Sequence, residues 1–142
     1  MMPAKQIIIA AAAAGLLLTA CGDASSDDTI HYIKTSVTYD TITDMYADPD
    51  SYLGKIYHIS GKFYPGTDHD SGEKFYSVYA EGSDGHGIGI ELDGKDVSFD
   101  GLEDFDTVTV EGRLEKQKMQ HEGEEIEVLI LRLTDIKKKE AK

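Results

Sequence analysis

The chain has 142 residues, with 14 Lys+Arg against 27 Asp+Glu and a formal net charge of −13. That length suits one domain, the 40% hydrophobic content suffices for a packed core, and a single cysteine excludes an intramolecular disulfide. The acidic balance argues against nucleic acid as a partner, because phosphate binding draws on clustered Lys and Arg.

The first predicted element is an address. Met1 to Gln6 carries one charge, Lys5, and Ile7 to Leu18 then runs without a charged or polar side chain. Twelve residues make a secretory hydrophobic region but fall short of the roughly 20 that a spanning helix needs. The run ends in Leu18-Thr19-Ala20-Cys21, a small residue just before a lone cysteine, and this resembles the lipobox of bacterial lipoproteins. The resemblance implies cleavage after residue 20, diacylglyceryl attachment at Cys21, and a protein held by its acyl chains on the extracytoplasmic side of the cell membrane or outer membrane. Losing Lys5 would leave the mature chain at −14. Residues 21–29, small or acidic after the cysteine, read as a flexible tether, because nothing in them can bury a face.

A folded domain is expected over residues 30–137, with residues 138–142 as a basic tail. Ile30 to Lys34 is a possible short strand. Asp40 to Tyr46 reads as a short helix, with Ile42, Met45 and Tyr46 on one face and Pro49 ending the pattern. From Lys55 onward the texture is β. A long strand to Tyr64 is interrupted by Gly61, which marks a bend or bulge; Phe75 to Ala80 and Gly87 to Leu92 follow as shorter strands. Thr107 to Glu115 alternates, with Val108, Val110, Gly112 and Leu114 facing one way and Thr109, Glu111, Arg113 and Glu115 the other. A polar hairpin near Gln120 to Gly123 leads to Ile126 to Leu133, a strand apolar on both sides in its middle and so expected to be buried.

A bent long strand, two short ones, a loop and two more long strands describe a mainly β fold, a small five-stranded barrel with a short N-terminal helix. The arrangement resembles the OB-fold. Asp48-Pro49-Asp50-Ser51-Tyr52-Leu53-Gly54-Lys55, Gly61-Lys62-Phe63, Gly89-Ile90-Glu91, Thr107 to Glu115 and Leu131 to Ile136 are further similar to small bacterial lipoproteins and secreted proteins with an OB-like domain. Such relatives often carry a Cys-Cys pair before the third strand, where this chain has Asp84-Gly85-His86-Gly87, so no thiol chemistry carries over. The resemblance brings no assigned reaction with it.

The residues suggest little catalysis. Cys21 is reserved for lipid, no serine stands in a G-x-S-x-G context, and no catalytic residue is expected. Asp68, Asp70 and Glu73 have the beginning of a calcium loop but lack its later ligands, so a solvated turn is the simpler reading and no cofactor is expected. On the barrel surface, Tyr76, Tyr79, His86 and Glu91 are the candidate ligand residues. Between Glu81 and Asp106 nine acids stand against one base, Lys95, a field that repels phosphate. The expected function is therefore a non-enzymatic, lipid-anchored binding module for a protein or small ligand at the cell envelope, touching the membrane through the lipid on Cys21 and taking no nucleic acid. The alternatives are a calcium- or zinc-dependent module, or an envelope enzyme using paired carboxylates such as Glu91 and Asp93.

Overall fold

The computed structural model describes residues 28–139. The leader, Cys21 and most of the tether lie outside the described residues, as do residues 140–142. A short strand β1 (Ile30–Tyr32) opens the described chain, followed by helix α1 (Thr38–Ala47) and five strands: β2 (Ile56–Thr67), β3 (Lys74–Glu81), β4 (Gly87–Asp93), β5 (Thr107–His121) and β6 (Glu124–Lys138). The helix covers the expected segment with about one turn more. Its Ile42 and Met45 are fully buried, and Thr38 in its first turn donates its hydroxyl to the Lys34 carbonyl at 3.1 Å. A single 3-10 turn, Pro49–Ser51, follows, as the proline position requires.

Strands β2 to β6 close into a barrel. β2 is antiparallel to β3 through Lys62–Thr67 and antiparallel to β5 through Ile56–Lys62, so one strand serves two neighbours. β3 pairs with β4, β5 pairs with β6, and β4 runs parallel to β6 over Glu91–Asp93, which completes the circuit. This is the order expected of the OB-like barrel. β1 adds a short parallel pairing to the start of β2.

The changeover on β2 occurs at Gly61 and Lys62. A Cβ at Gly61 would sit 2.7 Å from the Tyr79 carbonyl oxygen and 2.9 Å from Val78 Cγ2, so only glycine lets the two strands approach there. The alternation of β5 holds across a bulge at Glu111/Gly112: Val108, Val110 and Leu114 are fully buried, whereas Thr109, Glu111 and Arg113 stay partly exposed. Leu129, Ile130 and Leu131 of β6 are buried as well, as the apolar middle of the strand predicts, and so is Leu133 beyond Arg132. Ile59, Phe63, Val78 and Ile90 complete the interior, and α1 packs against the same cluster. Tyr57 lies at its margin; its hydroxyl donates to the Tyr52 carbonyl at 3.1 Å, and burial, with Tyr52 beside it, pushes the phenol up to about 12.

The end of β6 departs from the expected tail. Lys137 and Lys138 stand in register with Thr109 and Val108, and the Lys139 amide donates to the Thr107 carbonyl at 2.8 Å. The apolar run ends at Leu133, but the ladder carries on, because β5 offers unpaired backbone groups as far back as Thr107.

A ring-bearing face and an acidic cleft

Successive residues of a strand face opposite sides of a sheet, so the inward Phe63, Val78 and Ile90 fix the outward set on β2, β3 and β4. Cross-strand register then lays out rows on the outside of the barrel. Thr107, Lys62, Tyr79 and Gly89 form one row, and Tyr64, Ser77 and Glu91 the next. Gly66 faces Phe75 beyond them.

Three aromatic rings meet at one end of this face. Tyr64 and Tyr79 stack with centroids 4.2 Å apart and planes 24° apart. Phe105, from the loop before β5, stands at 90° to Tyr64 with centroids 5.3 Å apart. Tyr64 is 39% exposed and Phe105 55% exposed. Desolvation raises the Tyr79 phenol, and Tyr64 and Glu81 add to the shift. Lys62 stands beside Tyr79 in the row and donates its ammonium to the Thr107 hydroxyl at 3.3 Å. Lys62, Tyr79 and Lys139 together line a depression of about 240 Å³.

The other end is a cleft between the 68–73 turn and the β5–β6 hairpin. Two cavities of about 460 and 540 Å³ share Phe75, Glu91 and Val128. Tyr46 of α1 closes one side and donates its hydroxyl to the Gly89 carbonyl at 2.7 Å. The Glu91 carboxyl is raised, first by burial and then by the negative charges of Asp68 and Asp93. The cleft's two lysines already face carboxylates, Lys74 with Asp104 at 3.2 Å and Lys116 with Glu127 at 3.7 Å.

The residues expected at the site separate. Tyr79 and Glu91 share the outer face, one row apart. Tyr76 has the opposite parity; its ring stacks on Phe63 at 3.9 Å and its hydroxyl donates to Asp104 at 2.8 Å, so it belongs to the wall of the core. His86 sits in the exposed β3–β4 turn, 3.0 Å from the Asp84 carboxylate. Asp68 accepts the Asp70 amide at 2.8 Å, a turn bond that holds its carboxyl below the ordinary range; Asp70 accepts the Glu122 amide at 3.2 Å, and the Glu73 amide donates to the Ser71 hydroxyl. Among the described residues no group of three or more His, Cys, Asp or Glu is placed to hold a metal ion. Glu91 and Asp93 do lie on one face, but Asp93 is turned toward Arg132 at 3.9 Å. Tyr64, Phe105 and the β6 lysines were not among the expected site residues.

No family model matches the chain, and no curated protein matches it. Solved structures similar to it include the mitochondrial single-stranded DNA-binding protein Rim1 from S. cerevisiae, at 19% identity over 58% of this chain and 92% of that one, with a TM-score of 0.36. A small single-stranded DNA-binding protein from Streptomyces coelicolor is similar at 15% identity over 59% of this chain and 93% of that one, with a TM-score of 0.41. Both are named as single-stranded DNA-binding proteins. Two expectations are corrected on this chain's own geometry: that nucleic acid is excluded as a partner, and that the domain is an envelope module taking a protein or small ligand in its place. The physical reason lies in how charge is distributed. Of the acids between Glu81 and Asp106, Asp93, Asp104 and Asp106 stand within 4 Å of Arg132, Lys74 and Lys138. Of the lysines read as a tail, Lys138 is held in β6 opposite Val108, and Lys139 lines the depression beside Tyr79.

Proposed function

We propose that this chain binds a single strand of nucleic acid across the outer face of β2, β3 and β4 by stacking bases on exposed rings. The observation that carries the reading is the Tyr64–Tyr79 pair standing next to Lys62 and Lys139 on that face. Base–aromatic stacking contributes about 1–3 kcal/mol per base and asks for no base identity, while each lysine can neutralise one phosphate. The acidic cleft at the far end suits base edges rather than backbone, because a carboxylate accepts hydrogen bonds from exocyclic amino groups.

The test is a titration of the full chain with fluorescein-labelled oligothymidylate at several salt concentrations. Saturable binding is expected, with log K falling against log salt at a slope of about −1.4, the value for two lysine–phosphate contacts on a single strand. Tyr79→Ala should weaken binding roughly fivefold or more at every salt concentration. Absence of saturable binding at low salt, or an affinity indifferent to Tyr79, would overturn the reading.

We also propose that residues 1–20 are an export signal and Cys21 the acceptor of a lipid, which would place the domain on the outer side of a membrane. The twelve apolar residues from Ile7 to Leu18, followed by Thr19-Ala20-Cys21, support this. Mass spectrometry of the protein from native membranes should find a diacylglyceryl-modified N-terminal Cys21; an unmodified terminus at Asp23 or beyond would refute it.

A further inference from the structure

Phe105 combines features that the fold itself does not require. Its φ is 73°, in the left-handed region, where glycine or asparagine is the usual occupant and a bulky side chain is strained. Glu122 is also left-handed, but it occupies the tip of the β5–β6 hairpin with Gly123 after it, an ordinary turn requirement. Phe105 sits in the irregular segment before β5, and its ring is more exposed than buried. The backbone is held firmly there. The Phe105 amide donates to the Phe63 carbonyl, and the Phe63 amide donates to the Asp106 carbonyl, each at 2.8 Å. The chain thus fixes a strained residue from both sides and spends that fixity on holding an apolar ring in water. Strain held in place by its surroundings is a feature of ligand clamps.

The ring's position gives it a task. Phe105 and Tyr64 stand at right angles, and Tyr64 is itself backed by Tyr79. Two perpendicular rings form a corner, in which a third flat ring can stack on one and meet the edge of the other. We infer that Phe105 is a ligand-binding residue, the second wall of a corner with Tyr64 that receives one base of the bound strand. This rests on the stacking reading above. Tyr79, stacked behind Tyr64, shares its depression with Lys62 and Lys139, so a strand that leaves the corner across Tyr79 meets two cations. The left-handed backbone aims the ring at Tyr64, and the residue acts by direct contact.

The experiment compares Phe105→Asn, Phe105→Tyr and Tyr79→Ala in the full chain, by thermal melting and by oligothymidylate titration. Asparagine accepts the left-handed backbone, so Phe105→Asn should keep or raise the melting temperature while weakening binding roughly fivefold or more. Phe105→Tyr keeps the ring and should bind within twofold of the parent. Two results would overturn the inference: a melting temperature that falls by several degrees with Phe105→Asn, which would make the ring structural, or unchanged binding by Phe105→Asn while Tyr79→Ala is weakened. Absence of binding by the parent chain would instead remove the stacking reading on which it rests.

Discussion

Val110→Asp should remove a large part of the domain's stability. Val110 is fully buried in the middle of β5, paired with Ile59 on one side and Ile136 on the other. A carboxylate there would have neither water nor a cation, and the cost should reach about 4 kcal/mol or more against a typical total of 5–15 kcal/mol. Thr109→Asp, one residue away, should cost well under 1 kcal/mol. Its side chain faces outward, accepts or donates one hydrogen bond with the Ser60 hydroxyl at 3.0 Å, and stands across from Lys137. A carboxylate can still accept from Ser60. Urea unfolding of the two variants separates them, and equal losses would mean that the register of β5 is wrong.

The second large effect is expected at Gly61. Adding one methyl group there drives it against the Tyr79 carbonyl and Val78 Cγ2, and the nearer contact is backbone, which cannot rotate away. Gly61→Ala should therefore cost about 2–3 kcal/mol, from overpacking and from displacement of the β2–β3 ladder. Gly72→Ala provides the contrast. Gly72 has φ +78° and open space around its Cβ position, so its cost should be limited to about 1 kcal/mol of left-handed strain. The urea midpoints read the difference directly, provided that the m-values stay unchanged. Equal costs at the two glycines would show that β2 does not need close approach at the point where it changes neighbours.

Much of this barrel can be read from the chain. The alternation of Val108, Val110 and Leu114, the apolar run from Ile126 to Leu133 and the glycine inside β2 are local signals, and local signals suffice for elements and for faces. They also place Tyr79 and Glu91 together, since both have outward parity on adjacent strands. Tyr64 could have been found in the same way: it follows the buried Phe63 and must face outward. Tyr76 separates from them because Phe75-Tyr76 offers two aromatics of opposite parity, and only the pairing of Val78 with Phe63 says which is inside. Phe105 left no signal, because a positive φ at a phenylalanine is imposed by bonds to Phe63, distant in sequence. The pairing of charges was illegible for a related reason. A net charge sums over residues, whereas Asp104 meets Lys74 and Asp106 meets Lys138 only after the strands have come together. Lys137 to Lys139 look like a tail because their own segment has no apolar pattern; what orders them is the backbone of β5.

The closed circuit of strands also constrains how the chain can reach its native state. Three of its pairings, β2 with β3, β3 with β4 and β5 with β6, join neighbours in sequence and can zip from a turn. The other two seams, β2 with β5 and β4 with β6, unite segments separated by a long stretch of chain, and neither forms without ordering what lies between. Loop-closure entropy falls due before the core repays it, so the search for these seams should govern the rate, placing folding in the millisecond-to-second range typical of non-local β topologies. Until both seams are made, the β2–β4 meander and the β5–β6 hairpin are two open sheets with unpaired edges, and it is in that interval that the chain is most exposed to association with its own copies.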